Sequence, residues 1–405
     1  MTRTKAILLA LVAAGALAAT AALAAGRAEP GVTDTSILVG GTAPLTGEAS
    51  SAANVARGAD AYFAWVNAHG GIDGRTVTYK YLDDAYDPAR TVQDVRELVQ
   101  QDGVFAVFNT LGTNNNLAVR DFLNQAGVPQ LFAASGFSGF GTDYKKYPWT
   151  IGYIPSYALE GSVYGRYVAK LRPKARIAVL YQDDEYGNDL LSGLKRGLGA
   201  RQKQIVAAVK YDATQPDVQS QVAQLRATKA DTFMIFAFGK FAVQAFLYAH
   251  KLGWRPQAFV NAVASSANLM TLSALTAGRA ETTGAISIVY FKDPTDPRWA
   301  KDGGMNLYRT ILKAYAASAN PKDGYYVAGM AAAYTLVDAL KRAGRNLTRA
   351  SLMQAVLGLN EANNPFVLPG ISIRTSPTDH FPMQQVGLQR WTGDHWVGLG
   401  GIVGG

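Results

Sequence analysis

The stretch SILVGGTAPLTGEASSAANVARGADAYFAWVNAHGGIDGRTVTYKYL, residues 36–82, decides the fold. Ser36–Gly40 (SILVG) is a short β-rich run. In Ala53–Ala68, Val55, Ala59, Tyr62, Phe63 and Val66 recur at helical spacing and share one face. Gly70–Gly74 (GGIDG) is a turn, and Thr76–Leu82 (TVTYKYL) reads as a second strand. Strand, helix and strand in that order open a parallel α/β sheet.

The same rhythm continues outward. Val92, Val95, Leu98 and Val99 line one face of Thr91–Gln101, followed by strand Val104–Phe108, helix Asn116–Gln125 and strand Pro129–Phe132. The rhythm restarts around Trp149–Pro155. Helices are expected at Tyr157–Lys170, Gly187–Leu198, Val218–Arg226 and Phe241–Leu252, with strands at Arg176–Tyr181, Gln204–Tyr211, Asp231–Ala237 and Gln257–Asn261. After Ile286–Phe291 come two long amphipathic helices, carrying Tyr308, Ile311 and Leu312 and then Tyr326, Met330 and Val337. The chain ends in β-rich segments that include Gln385–Trp391. The expected class is α/β with doubly wound parallel sheets.

Composition narrows the function. With 405 residues, 48% hydrophobic and 17% charged, the chain is a folded one of two or three domains. Zero Cys removes disulfides, thiolate chemistry, Fe–S clusters and a lipidated N-terminal cysteine. Four His, at 69, 250, 380 and 395, are too scattered for a metal pair, so no metal or cofactor is expected. The net charge is +9, of which Arg3 and Lys5 supply two, leaving +7 on the rest. Basic and acidic residues are interspersed, so no nucleic-acid stripe forms. Residues 1–24 read as a cleavable secretory signal: Arg3 and Lys5, an apolar run from Ala6, then Ala22-Leu23-Ala24. The mature chain is therefore expected to be exported, soluble and monomeric.

Nucleotide and hydrolase signatures are missing. Gly239-Lys240 lacks the first Gly of a phosphate loop, Gly40–Gly47 is not GxGxxG, and Gly136–Phe140 lacks the last Gly of GxSxG. The chain is read as a non-enzyme. It does carry small, hydroxyl-rich turns at three predicted strand ends: Thr42–Ser51, Thr110–Asn114 and Ala133–Gly136. Open α/β sheets bind ligands there, where backbone N–H groups meet an anion. Each hydroxyl taken singly also fits a plain helix cap.

At this point a family likeness becomes specific. Ile37–Gly40, Pro44–Gly47, Gly58–Tyr62, Asn67–Gly74, Leu82–Asp84, Asp87-Pro88, Gly127–Pro129 and Tyr186-Gly187 hold their order over about residues 31–400. The chain resembles type I periplasmic solute-binding proteins of the leucine/isoleucine/valine-binding family. The resemblance implies two lobes joined by three crossovers, a cleft for a small molecule, and separate permease and ATPase subunits of an ABC importer. The lobes are expected at 31–153 with 288–365, and at 154–287 with 366–405.

The resemblance further implies that Thr113, Asn114, Ala134, Ser135 and Gly136 hold a ligand carboxylate, with Tyr186 across the cleft as an exposed platform. Amino-acid binders of this family carry a Glu where this chain has Ala262, beside Asn261. An ammonium buried without a counter-charge costs several kcal/mol, whereas burying an aromatic ring contributes roughly 4–6 kcal/mol. With Phe132, Phe137, Phe238, Phe291 and Lys240 near the cleft, a hydrophobic or aromatic carboxylate is the expected ligand. The readings left open are a branched-chain amino acid with Asp183 or Asp184 as its acid, a ligand sensor, and an exported α/β enzyme.

Overall fold

The computed structural model describes residues 29–47 and 49–404, so the expected signal at 1–24 lies outside it. The first lobe opens with β1 (Ser36–Ala43), α1 (Asn54–Ala68), β2 (Thr76–Asp83), α2 (Pro88–Gln100), β3 (Ala106–Phe108), α3 (Thr113–Gln125), β4 (Gln130–Ala133) and β5 (Thr150–Gly152). Their parallel sheet has the order β2-β1-β3-β4-β5. Helices cover both faces, so Ile37 and Val39 are fully buried and the strands read as apolar runs instead of alternating ones. Helix α2 starts at Pro88 behind the Asp87 cap, whose carboxylate accepts the Ala89 amide at 2.8 Å. Helix α3 starts at Thr113, three residues ahead of the predicted Asn116. Gly112 precedes it at φ 105, a conformation that favours glycine, and this lets the chain turn sharply into the helix.

The second lobe contains α4 (Tyr157–Leu171), β6 (Ile177–Gln182), α5 (Glu185–Leu198), β7 (Ile205–Tyr211), α6 (Gln219–Ala227), β8 (Thr232–Phe236), α7 (Lys240–Lys251), β9 (Gln257–Val260), α8 (Ala267–Ala277) and β10 (Ile286–Val289). The order β7-β6-β8-β9-β10 repeats that of the first sheet. Ser156 caps α4 through the Leu159 amide and Asp184 caps α5 through the Gly187 amide. Helices α4 and α5 cross with backbones in contact. A Cβ on Gly161 would land on the Leu190 carbonyl, and one on Gly193 on the Ala158 carbonyl; Gly165 and Gly197 repeat the contact one turn along.

The chain then returns to the first lobe as α9 (Gly303–Tyr315), α10 (Gly324–Ala343) and α11 (Arg349–Val356), with the short antiparallel pair β11 (Asn360–Glu361) and β12 (Ile373–Arg374). Helix α10 lies on α1, where a Cβ on Gly329 would strike the Val55 carbonyl. Strand β13 (Gln385–Trp391) pairs antiparallel with β10 and with β14 (Trp396–Gly398), while β15 (Val403–Gly404) closes on β13.

Two crossings fall elsewhere than expected. Because β10 belongs to the second sheet through Val289, the chain leaves that lobe at Tyr290, not at 288. Residues 366–383 were placed with the second lobe, but Phe381 packs on Gly141 and the His380 Nδ1 lies 3.1 Å from the Thr150 carbonyl. Strand β12 is held by β11, and the second sheet is rejoined only at Gln385. Between them, Phe366–Leu368 runs antiparallel beside Tyr290–Lys292, with both hydrogen bonds at 2.9 Å. Among the described residues, no helix is long and apolar enough to cross a membrane.

Candidate functional site

The C-terminal strand edges of both sheets, where doubly wound folds place ligands, open on one cavity of about 150 Å³. The first lobe contributes Tyr86, Asn109, Leu111, Gly112, Ala134 and the start of α10; the second contributes Tyr186, Phe238, Ala262 and the start of α8. The crossovers add Tyr153, Ile154, Tyr157 and Val289–Asp293. Tyr86 and Phe238 meet across the lobes with centroids 5.6 Å apart, and within the second lobe Tyr157 and Tyr186 meet edge-on at 4.9 Å. Burial raises the hydroxyl pKa of Tyr86, Tyr153, Tyr157, Tyr186, Tyr290 and Tyr325 above the usual tyrosine range, so these hydroxyls are neutral at any physiological pH.

Two wall donors lack partners. The Tyr186 hydroxyl and the Asn109 amide nitrogen are buried with no hydrogen bond, although their residues are only 3% and 4% exposed. Tyr186 is thus not the exposed platform expected from its acidic neighbours. Asp184 is the cap of α5, and Tyr186 enters the first helical turn facing inward. Ala134, Phe238, Phe291 and Ala262 line the cavity, but Phe132 is fully buried in the core.

Of the expected anion turns, Gly112 and Ala134 reach the wall, while the side chains of Thr113 and Ser135 lie one layer back. The hydroxyls of Thr113 and Ser135 bond each other at 2.7 Å, and Ser135 Oγ also accepts the Phe137 amide at 3.2 Å. The Ala134 amide donates to the Thr110 carbonyl at 3.0 Å. The Tyr157 ring packs on Gly136, and it is Tyr157 that lines the cavity. Asn114 instead spans the lobes, its Nδ2 donating to Asp184 Oδ2 at 3.3 Å. Two further contacts link the lobes. The Ser138 amide and hydroxyl donate to Asp189 at 2.9 and 2.8 Å, and the Tyr325 hydroxyl donates to the Val263 carbonyl at 2.9 Å.

On the far side, Asn261 is fully buried and its amide nitrogen bridges the carbonyls of Ile235 and Ala237, off the wall. Lys240 opens α7 with its ammonium 5.0 Å from the Phe241 ring centroid, also off the wall. The Ala262 amide, at the position where the resemblance implies an acid in amino-acid binders, donates at 2.6 Å to an acid from another element, Glu160 of α4. The other partner of that Oε1 is the Tyr164 hydroxyl at 2.7 Å, and burial pushes the Glu160 carboxyl up to about 7. Asp293 is on the wall, with Oδ1 taking the amide and hydroxyl of Thr295, both at 2.7 Å; burial raises its carboxyl too. Lys292 beside it is paired with Asp302 at 2.8 Å.

Residues 36–395 match the periplasmic binding protein family. The chain belongs to that family. A relative described as an amino acid binding protein of Pseudomonas aeruginosa is 24% identical over 327 residues, covering 76% of this chain and 79% of that one. Among solved structures, a Thermus thermophilus branched-chain amino acid transporter protein with bound valine superposes with a TM-score of 0.78 at 17% identity, over 92% of this chain and 96% of the other. A Rhodopseudomonas palustris solute-binding protein in complex with benzoate gives 0.74 at 18% identity, over 90% of this chain and 96% of the other. This periplasmic binding protein has the type I fold, with two parallel-sheet lobes and the cavity between them. No sequence pattern singled out Asn109, Tyr86, Tyr157 or Glu160. Asn109 and Tyr86 reach the wall through φ values of 55 and 66, which periodicity does not reveal.

Proposed function

We propose that the protein is the periplasmic receptor of an ABC importer and carries a small monocarboxylate with an apolar, aromatic body. Its partners in this reading are a membrane permease and an ATPase. The observation that supports it is the pair of unpartnered donors, Asn109 Nδ2 and Tyr186 Oη, on a wall made largely of rings and aliphatic groups, where Lys292 is paired with Asp302 and Asp293 is capped by Thr295. A buried donor left unpaired costs about 1–3 kcal/mol. A ligand bringing acceptor oxygens to both recovers that cost. The N-terminus of α3, at Gly112 on the wall, adds a favourable dipole for an anion. A cavity of about 150 Å³ in a protein interior holds a molecule the size of benzene. The structure in complex with benzoate shows that this fold accommodates such a ligand.

A second reading, an amino acid, is favoured by Asp293, which puts a carboxylate on the same wall. Isothermal titration calorimetry of the mature protein with benzoate, phenylacetate, octanoate, leucine and valine separates them. Micromolar binding of the aromatic acids, with leucine and valine inert, is expected. Tight leucine or valine binding with the aromatic acids inert overturns the carboxylate reading in favour of the second.

A further inference from the structure

Glu160 lies directly behind the cavity wall and has no role in the reading given so far. It is 2% exposed, and its carboxylate is held only through Oε1, by two uncharged donors, the Tyr164 hydroxyl and the Ala262 amide. The titratable groups facing it are Tyr157 and Tyr164 of its own helix, Tyr186 of α5 and Tyr290 after β10, whose hydroxyls all feel its charge. Of the acids on α5, Asp184 bears on Tyr157, and Asp189 takes the Ala158 amide. Three of the facing tyrosines and Ala262 form the wall itself, so an anion in the cavity is separated from the Glu160 carboxylate by one residue layer.

Resting on the carboxylate reading, we propose that Glu160 is the proton acceptor linked to ligand binding: when an anionic ligand fills the cavity, this carboxylate takes up a proton and its negative charge is removed. Two anions across one low-dielectric layer repel strongly. The cheapest relief is protonation of the one that is already close to neutral, for its carboxyl is raised to about 7. The Tyr164 network accommodates the change, because Tyr164 Oη also lies 2.9 Å from the Val260 carbonyl and accepts the Ile288 amide. Its hydroxyl proton can turn to Val260 while the neutral acid donates to Tyr164 Oη. A cationic ligand group would act in the opposite sense and drive the proton off.

The test is titration calorimetry of the full mature chain with benzoate at pH 7 in phosphate and in Tris, whose ionisation enthalpies differ. Glu160 is partly protonated before benzoate binds, so a fraction of a proton is taken up per benzoate at pH 7, falling towards none at about pH 5.5 where the carboxyl is already neutral. Benzoate affinity rises as pH falls from about 8.5 to 6, by no more than tenfold per unit. Glu160→Gln keeps an acceptor for the Ala262 amide, abolishes the uptake and binds benzoate at pH 8.5 as tightly as wild type does at pH 6. Benzoate binding without buffer dependence in wild type overturns the inference and leaves the carboxylate reading intact. Uptake that persists in Glu160→Gln, or that disappears in Asp293→Asn alone, overturns it as well. Failure of every carboxylate to bind removes both, and leucine binding with proton release reverses the sign proposed here.

Discussion

The strand ends of β3 and β4 face those of β6, β8 and β9 across one cavity, in two sheets of the same order, yet the two edges use their polar groups differently. On the first lobe the Thr113 and Ser135 hydroxyls bond each other, the Ala134 amide donates to the Thr110 carbonyl, and Asn109 keeps a bare donor on the wall. On the second lobe the wall itself carries a bare phenol, Tyr186, backed by a buried carboxyl without a cationic partner among its hydrogen bonds. A hydroxyl-rich turn is therefore no guide to ligand contact. What matters is which polar atoms remain unpaired after the fold has used the rest.

The comparison can be broken hardest through the packing that holds each edge. Gly193→Leu drives a side chain into the Ala158 backbone and should cost about 3 kcal/mol or prevent folding of the second lobe. Guanidinium unfolding followed by circular dichroism measures it, and a variant of wild-type stability would refute the close crossing. Next in size is Tyr186→Phe, expected to weaken the ligand by about 1–3 kcal/mol while leaving stability unchanged or slightly higher, since an unpaired hydroxyl is removed. Affinity from calorimetry set beside the melting temperature distinguishes the two effects.

A first-lobe carboxyl offers a control for Glu160. Glu361 is buried against Asn364 and Thr335, in a network that includes Tyr153, and burial pushes it up to about 7 from an ordinary value near 4.5. The native state then holds more protons than the unfolded chain between those values. Stability should fall as pH rises from about 4.5 to about 7 and level off above. Glu361→Gln should flatten that slope and gain about 1–2 kcal/mol relative to wild type at pH 8, with little gain at pH 4. Melting curves across pH 4–9 show whether it does. The smallest effect is expected from Thr113→Val, which breaks the Thr113–Ser135 bond and lowers stability by about 1 kcal/mol. Its ligand affinity should change less than in Tyr186→Phe; a larger loss would bring the hydroxyl turns back to the front of the site.

Much of this architecture is legible in the sequence because its signals are local. The run SILVG, the spacing of Val55 to Val66 and the turn GGIDG each state one element, and their alternation states the sheet. The return of the chain at 366–385 is not legible in that way. Strands β11 and β12 are two residues each, and the segment after them is held through His380 and Phe381 by Thr150 and Gly141, more than 200 residues earlier. The wall is legible only in part for a related reason. Asp183-Asp184-Glu185 suggested a solvated loop around Tyr186, but one of these acids caps a helix, and the residue after the cap turns inward. Glu160 reads as an ordinary first-turn helix acid until the Ala262 amide, 102 residues away, arrives on it.

The crossing of α4 and α5 has a mechanical consequence. Helix α4 springs directly from the first crossover at Ser156, and α5 carries Tyr186 in its first turn. With Gly161, Gly165, Gly193 and Gly197 at the seam, backbone bears on backbone and no rotamer lies between to absorb displacement. The two helices run parallel and both begin at the cavity, with the Tyr157 and Tyr186 rings 4.9 Å apart, so the wall and the first crossover are fixed to one stiff unit.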